Sequence, residues 1–384
     1  MKKRLVELDV LRGIAFLMVV VQHTIGGYSY SKGISYDSMV LSRAIYIIAQ
    51  PAVKIFLVLM GMTLIYTYID KFHWKSFYIK KMKFLLIPYI IFSILDIYLL
   101  KDWGKLKNIF GQIVTGNAAY HLWYMGMAIR IYAYFPAIIF ITRAVRKKSH
   151  AFKRNFLLLY SAAYIFVLEN NDDICSFLGK LIFGNPTELQ QKFINVSPAA
   201  WFLYFVIGVY AILGYRKFKN MALKYGKVII ALYMFVAGTV YCRSINLFGD
   251  NFFIYDKFNC EIDVANSILC MMSFYVLSLY IVKKKLLCGF FKFIARYSFP
   301  SYLFHIVVLQ YFANSIHQTK YFYSSLILLI LTVSVTSCIF YIVGFIPFSR
   351  YVTGVKENFS FHKKKINGPN NSFIDNYYCQ KGNV

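Results

Sequence analysis

Two residues in the first apolar segment of the chain, Arg12 and His23, are of types that bind an anion and transfer a proton. They are eleven positions apart, which in an α-helix is three turns plus about 20°, so both side chains face the same way. Their separation along the helix axis is roughly 16 Å. Arginine keeps its charge and needs an anion, either Glu7, Asp9 or a phosphate. In the purely structural alternative, Arg12 pairs with Asp9 and His23 bonds a neighbouring helix.

A polar stripe is predicted in the ninth apolar segment. Ser298, then Ser301 or Tyr302, and then His305 recur at i, i+3 or i+4, and i+7, which is one face of a helix. Such a stripe either joins helices by hydrogen bonds or lines a cavity opposite His23. Ionisable groups inside apolar segments are functional candidates by default, so both interpretations stay open.

Other polar residues lie near the ends of apolar segments. His121 and Trp123 begin the fourth segment, where either an aromatic belt or an acceptor-binding role is expected. Arg130 lies about two turns deeper and needs an anion or a water-filled cavity. Lys54 and Asp96, near segment ends, are expected to extend to the membrane interface.

The composition fixes the broad class of the protein. Of 384 residues, 59% are hydrophobic and only 15% are charged, with a mean hydropathy of +0.53. One soluble core cannot bury so much apolar surface, so the chain is predicted to be an all-α, polytopic transmembrane bundle. We predict one transmembrane domain over residues 1–350 and a flexible cytoplasmic tail over 351–384. The ten predicted spans are residues 10–28, 44–68, 85–100, 122–142, 155–168, 198–214, 227–243, 263–282, 298–316 and 322–347.

The formal net charge of +27 is explained by membrane topology. Lysine and arginine cluster in alternate loops, which the positive-inside rule assigns to the cytoplasm together with both termini. Nucleic-acid binding, the other class that a basic chain suggests, is therefore not expected. The predicted location is a cell membrane, with membrane lipid as a partner.

The segment ELDVLRGIAFLMVVVQH, residues 7–23, resembles the opening of the acyltransferase-3 family of bacterial membrane proteins. The first helix of that family carries a basic residue, ten intervening residues and a histidine, which here are Arg12 and His23. The order of further motifs is also similar, with Met60 where serine is usual and with Lys80 and Lys83 where arginines are usual. These motifs are PAVKIFLVLMGMTL (51–64), FYIKKMKFLLIPY (77–89), YHLWYMGMAIRIYAYFP (120–136) and RYSFPSYLFHIVVL (296–309).

The resemblance implies transfer of an acyl group, with acetyl expected, from cytoplasmic acyl-CoA to a hydroxyl of a carbohydrate or lipid-linked glycan. Arg12, with Lys80 and Lys83, would hold the phosphates of acyl-CoA, although lysine offers a point charge and not a bidentate contact. His23 would act as general base, and an acyl-histidine intermediate is a variant. No metal is expected.

The resemblance also implies a place for the acceptor. The residues expected to bind it are His121, Trp123, Arg130, Ser298, Tyr302 and His305, of which Arg130 matches no motif position. The alternative from another class is a polytopic transporter that moves a glycan or small solute. No repeat symmetry is visible in the sequence, which argues against that alternative.

Overall fold

The computed structural model describes residues 3–28, 33–249, 260–316 and 322–358, and no strand occurs among them. Short 3₁₀ turns and one π segment join the α-helices. The α-helices are α1 (Val6–Tyr28), α2 (Tyr36–Ala49), α3 (Ala52–Tyr68), α4 (Trp74–Lys81), α5 (Ile87–Leu99), α6 (Ile109–Thr115), α7 (Trp123–Arg146), α8 (His150–Glu169), α9 (Asn171–Phe183), α10 (Glu188–Asn195), α11 (Phe202–Leu213), α12 (Tyr215–Phe248), α13 (Cys260–Ile281), α14 (Lys285–Ser315), α15 (Tyr323–Val343) and α16 (Arg350–Thr353).

The prediction of a polytopic helical bundle is confirmed. Within the described ranges, nine helical stretches are long and apolar enough to cross a membrane, and they correspond to nine of the ten predicted spans. The predicted span 298–316 lies in α14, a helix of 31 residues. It is long enough to cross, but its polar stripe keeps it below the apolarity of the other nine.

Helix α1 is the centre of the bundle. It packs against α2, α3, α13, α14 and α15, and 72% of its apolar window is buried inside the protein, against 6% for α8. A central helix is shielded from lipid by its neighbours, so it can carry polar side chains that a peripheral helix cannot. Arg12 and His23 are therefore on a helix with protein on most of its sides.

Helices α3 and α11 pack with their backbones almost in contact. An ideal Cβ at Gly61 would lie 2.3 Å from the carbonyl oxygen of Phe205, and one at Gly208 would lie 2.1 Å from that of Val58. Small residues at such a crossing let two helices approach closely, which is how helices associate when lipid surrounds them. This contact fixes the position of α3. Residues of α3 such as Phe56 and Met60 also form one wall of a cavity beside α1.

Two buried ionic contacts connect α1 and α3 to distant parts of the chain. Lys54 forms an ion pair with Asp263 of α13, and the two side chains are 7% and 12% exposed. The prediction that Lys54 extends to the interface is wrong, because a buried carboxylate is available inside the bundle. Glu7 accepts hydrogen bonds from the Tyr215 hydroxyl at 2.6 Å and from the Lys219 ammonium at 2.7 Å.

The chain after α15 packs back onto the bundle. Residues 350–358, here called the C-terminal strap, contact α5 and the π segment that precedes it. Asn358 donates to the carbonyl of Tyr341 at 2.8 Å and accepts from the Arg296 guanidinium at 2.9 Å. The first part of the predicted tail therefore lies against helices, and residues 359–384 lie outside the described residues.

Candidate active site

A cavity of about 520 Å³ lies beside the N-terminal half of α1. Four cations line it, namely Arg12, Lys80, Lys81 and Arg296, and its deeper lining is aromatic or apolar. The remaining lining residues are Phe56, Leu59, Met60, Thr63, Leu64, Tyr68, Phe84, Leu85, Tyr124, Met125, Ala128, Tyr132, Ala295, Ser298, Phe299, Tyr302, Gly354 and Val355. A cationic end and an apolar interior suit a ligand with an anionic head and an extended, less polar arm.

A second groove, of about 690 Å³, adjoins this cavity. Arg12 and Thr63 line both. The groove also contains Arg4 and Lys71, with Asp9 beside them. Arg12 thus stands between a basic surface groove and an interior cavity.

Of Glu7 and Asp9, the two carboxylates predicted as partners of Arg12, Asp9 is the one within ion-pair distance of it. The guanidinium of Arg12 is 3.6 Å from an Asp9 oxygen, which is an ion-pair contact longer than a hydrogen bond. The other oxygen of Asp9 accepts a hydrogen bond from Arg4 at 2.6 Å. Glu7 accepts hydrogen bonds from Tyr215 and Lys219. Arg12 is one-third exposed, so its donors remain open to an anion in the cavity.

The two lysines expected to assist Arg12 have different surroundings. Lys80 lines the cavity, and so does its neighbour Lys81, whose ammonium lies 4.1 Å from the centroid of the Tyr132 ring. Lys83 is exposed and is not among the cavity residues. It lies in a π segment, Met82–Leu86, whose wider turn changes the direction in which its side chains point relative to an α-helix.

Three histidines meet at the C-terminal half of α1. The ring of His305 lies 5.2 Å from that of His23 and 4.9 Å from that of His121, measured between centroids. Tyr120 packs edge-on against His23 at 5.2 Å and is 51% exposed. His121 and His305 are buried, and His23 is half-buried. The polar stripe on α14 therefore contacts His23 through His305.

Backbone carbonyls orient two of these imidazoles. Nδ1 of His305 is 2.7 Å from the carbonyl oxygen of Tyr302, and Nε2 of His121 is 3.3 Å from that of Leu303. A carbonyl only accepts, so each of these nitrogens carries the hydrogen in the neutral ring. The other nitrogens, Nε2 of His305 and Nδ1 of His121, have no hydrogen-bond partner among the described residues.

Tyr302 joins the cavity to the histidines. Its hydroxyl donates to the backbone carbonyl of His121, and its ring lies 5.9 Å from that of His305 and 5.9 Å from that of Tyr124. Tyr302 and Tyr124 both line the cavity, whereas His23 does not. The cavity thus ends one layer of side chains short of the histidine cluster.

The remaining predicted site residues fall into two groups. Ser298 lines the cavity and donates to the carbonyl of Ala295 at 2.9 Å. Arg130 donates to the carbonyl of Phe193 at 2.6 Å and stacks over its ring, so it connects α7 to α10. Trp123 packs against Trp201 with centroids 5.0 Å apart. Arg130 and Trp123 are not among the cavity residues.

Asp96 is the site residue that sequence reasoning missed. It is fully buried, and its Oδ2 is 3.8 Å from Nε2 of His121, so the prediction that it extends to the interface is wrong. The usable signal was its position inside an apolar segment, which by itself marks a functional candidate. Among the described residues, no group of His, Cys, Asp and Glu side chains converges as metal ligands would.

Comparison with known proteins assigns the family. The family profile described as "Acyltransferase domain", that of the acyltransferase-3 proteins, matches residues 5–344. The chain belongs to the acyltransferase-3 family. Membership supports an acyltransferase activity in general terms, carried by a multi-pass membrane protein.

Relatives of this acyltransferase-3 protein have names that refer to polysaccharide export and not to acyl transfer. The probable poly-beta-1,6-N-acetyl-D-glucosamine export protein of Staphylococcus aureus strain MRSA252 is 25% identical over 324 residues, covering 81% of this chain and 84% of that protein. The protein of the same name from strain MSSA476 is 24% identical with the same coverage. No solved structure matches the chain.

Proposed function

We propose that this acyltransferase-3 protein is a membrane O-acyltransferase that moves an acetyl group from cytoplasmic acetyl-CoA to a hydroxyl of a surface or lipid-linked carbohydrate. The observation that carries the proposal is the alignment of a cation-rimmed cavity with a histidine cluster along one face of α1. Both features are built from the two residues of the first-helix motif. The positive-inside rule puts the cavity end of α1 in the cytoplasm of a bacterium, in its cell membrane.

Donor binding uses the charges at the cavity rim. Arg12, Lys80 and Lys81 line the cavity and would donate charge-assisted hydrogen bonds to phosphate oxygens. Arg296 also lines it and adds its charge, while its guanidinium donates to Asn358. Arg12 and His23 are roughly 16 Å apart on α1, which is comparable to the length of an extended pantetheine arm. The thioester reaches His23 when Tyr302 and Tyr124 move aside, because those two rings separate the cavity from the cluster.

The chemistry rests on His23 as general base. Its imidazole removes the proton from the acceptor hydroxyl as the oxygen attacks the thioester carbonyl carbon. The carbon–oxygen bond forms, the carbon–sulfur bond breaks, and the electron pair leaves on sulfur. We propose direct transfer, because His23 is half-buried and contacts an exposed aromatic ring, Tyr120, past which an acceptor can reach it.

The acceptor is proposed to be a polysaccharide. The names of the staphylococcal relatives contain poly-beta-1,6-N-acetyl-D-glucosamine, and an exposed aromatic ring such as Tyr120 suits the apolar face of a sugar. His121, Ser298, Tyr302 and His305 lie around the path of the reacting groups. No role for nucleic acid follows from the charge of the chain.

The experiment uses membrane vesicles from a strain that lacks the chromosomal gene and expresses the full chain. Acetyl-CoA labelled in the acetyl group is supplied at the cytoplasmic face, and label in the glycan fraction is counted. We expect transfer by the wild type and by His150→Ala, a control that removes an exposed histidine on α8. His23→Ala should lose about 100-fold or more, and transfer at the wild-type rate by that variant would contradict the proposal.

Export is a second candidate, favoured by the names of the staphylococcal relatives. The same vesicles distinguish the two functions. If polysaccharide crosses the membrane in a manner that depends on this chain while no label moves from acetyl-CoA to glycan, export replaces acyl transfer. If label moves and Arg12→Ala lowers its transfer at least about tenfold, acyl transfer is supported.

A further inference from the structure

Asp96 presents an unusual environment for a carboxylic acid. It lies on α5 with no exposed surface, and neither of its carboxyl oxygens has a hydrogen-bond partner among the described residues. Leaving a carboxylate buried without a partner costs several kcal/mol. The ionisable groups near it among the described residues are His121, whose Nε2 lies 3.8 Å from Oδ2 of Asp96, and Tyr302, which interacts with it electrostatically. The distance to His121 is longer than a hydrogen bond, so a direct bond requires a small shift of either side chain.

The buried carboxylate of α13 gives a useful contrast. Asp263 forms an ion pair with the ammonium of Lys54, which joins α13 to α3. Among the described residues, Asp96 has no lysine or arginine within ion-pair distance, and its basic neighbour is the His121 imidazole, which carries charge in one of its two protonation states. A carboxylate beside an imidazole stabilises the protonated imidazole. When the imidazole is neutral, the carboxylate has no cation to pair with.

The histidines lead from Asp96 to the proposed base. His121 contacts His305, and His305 contacts His23, with ring centroids 4.9 and 5.2 Å apart. Nδ1 of His121 and Nε2 of His305 are lone-pair acceptors that have no donor in the described part of the chain. The unpaired atoms of this cluster are these two nitrogen lone pairs and the carboxyl oxygens of Asp96, and all of them can accept a hydrogen. The cluster can therefore bind one additional proton.

We propose that Asp96 is a positioning residue that acts through His121 and completes a chain, His23–His305–His121–Asp96, that takes up the proton removed from the acceptor hydroxyl. The inference rests on the proposed acyl transfer. In each turnover the hydroxyl proton passes to His23, and the positive charge is shared along the chain towards Asp96. After the carbon–sulfur bond breaks, the chain shifts back and a proton passes from His23 to the thiolate, which leaves as a thiol, so the chain ends each cycle unchanged.

The test measures acetyl transfer to endogenous glycan in the vesicles described above. Asp96→Asn keeps the shape of the side chain and removes its charge. Ser93→Ala is the matched control, since Ser93 is equally buried one turn earlier on α5. We expect Asp96→Asn to lower kcat at least about tenfold, to leave KM for acetyl-CoA within about twofold, and to accumulate in the membrane as the wild type does. Ser93→Ala should transfer at the wild-type rate.

Two further readouts separate a proton path from a structural role. In mixtures of H₂O and D₂O, the wild-type rate should fall along a curve because more than one proton moves, and Asp96→Asn should give a straight line. His121→Gln and Asp96→Asn combined should be no worse than the worse single variant, because the two residues act as one unit. This comparison holds even where one variant folds poorly, since rates are expressed per folded protein measured by size exclusion in detergent.

The outcomes distinguish this inference from the function on which it depends. If Asp96→Asn has wild-type kcat while His23→Ala is inactive, the chain of groups is wrong and the acyltransferase proposal stands. Additive losses in the double variant, or a curved isotope plot that Asp96→Asn leaves unchanged, would also overturn the inference. If His23→Ala itself transfers normally, the base assignment fails first.

Discussion

Replacing Gly208 by alanine perturbs the contact that holds α3 in place. The added Cβ would lie 2.1 Å from the carbonyl oxygen of Val58 and 3.1 Å from the backbone nitrogen of Met62. Backbone atoms cannot rotate away as a flexible side chain can, so α3 and α11 must separate by roughly 1 Å to restore ordinary contact. Overpacking of this kind costs about 1–3 kcal/mol.

The expected result is a loss of both stability and activity. A cost of 1–3 kcal/mol lowers the ratio of folded to unfolded protein by about 5- to 150-fold. Activity should fall as well, because α3 carries Phe56, Met60 and Thr63, which line the main cavity. The assay is thermal unfolding of the full chain in detergent, followed by fluorescence-detected size exclusion, with acetyl transfer measured in vesicles.

Gly238 provides a matched control on α12. No atom lies within 4 Å of an ideal Cβ at that position, and alanine is favoured over glycine in a helix by about 1 kcal/mol. Gly238→Ala should therefore unfold at or above the wild-type temperature. If Gly208→Ala unfolds at the wild-type temperature too, the close approach of α3 and α11 is not a feature of the folded protein.

Two other substitutions test contacts outside the histidine cluster. Lys54→Met leaves Asp263 buried without its cation and should lower the free energy of unfolding by about 3–5 kcal/mol. Lys54→Met combined with Asp263→Leu should recover most of this loss, measured by thermal unfolding. Equal stability of the single variant and the wild type would contradict the buried ion pair. Gly354→Ala, at φ +71° with its Cβ 2.4 Å from the Phe84 carbonyl oxygen, should displace the C-terminal strap from the cavity wall and raise KM for acetyl-CoA. An unchanged KM would mean that the strap takes no part in donor binding.

The period of the helix explains why part of the site could be predicted. Because 3.6 residues make a turn, the spacing of Arg12 and His23 is enough to put them on one face before any fold is known. The same rule groups Ser298, Tyr302 and His305. Within the described residues, these groups do line the cavity or contact His23.

Other features depend on partners that are distant in sequence. Lys54 and Asp263 are separated by 209 residues, and nothing local to Lys54 indicates that a carboxylate awaits it inside the bundle. Asp96 meets His121 only because α5 and α14 pack together around the start of α7. Lys80 lines the cavity and Lys83 does not, and Lys83 lies in a π segment, which has no simple sequence signature.

The most direct test of the central claim compares two donors and three proteins, the wild type and two variants. Acetyl-pantetheine keeps the thioester of acetyl-CoA but lacks the phosphates that Arg12 is proposed to bind. Arg12→Ala should lower kcat/KM for acetyl-CoA by about 10- to 150-fold, the value of one hydrogen bond to a charged group, and should change kcat/KM for acetyl-pantetheine less than about twofold. Arg216→Ala, which removes an exposed cation on α12, should change neither. An equal loss with both donors would contradict the claim that Arg12 holds the phosphates while the thioester reaches His23.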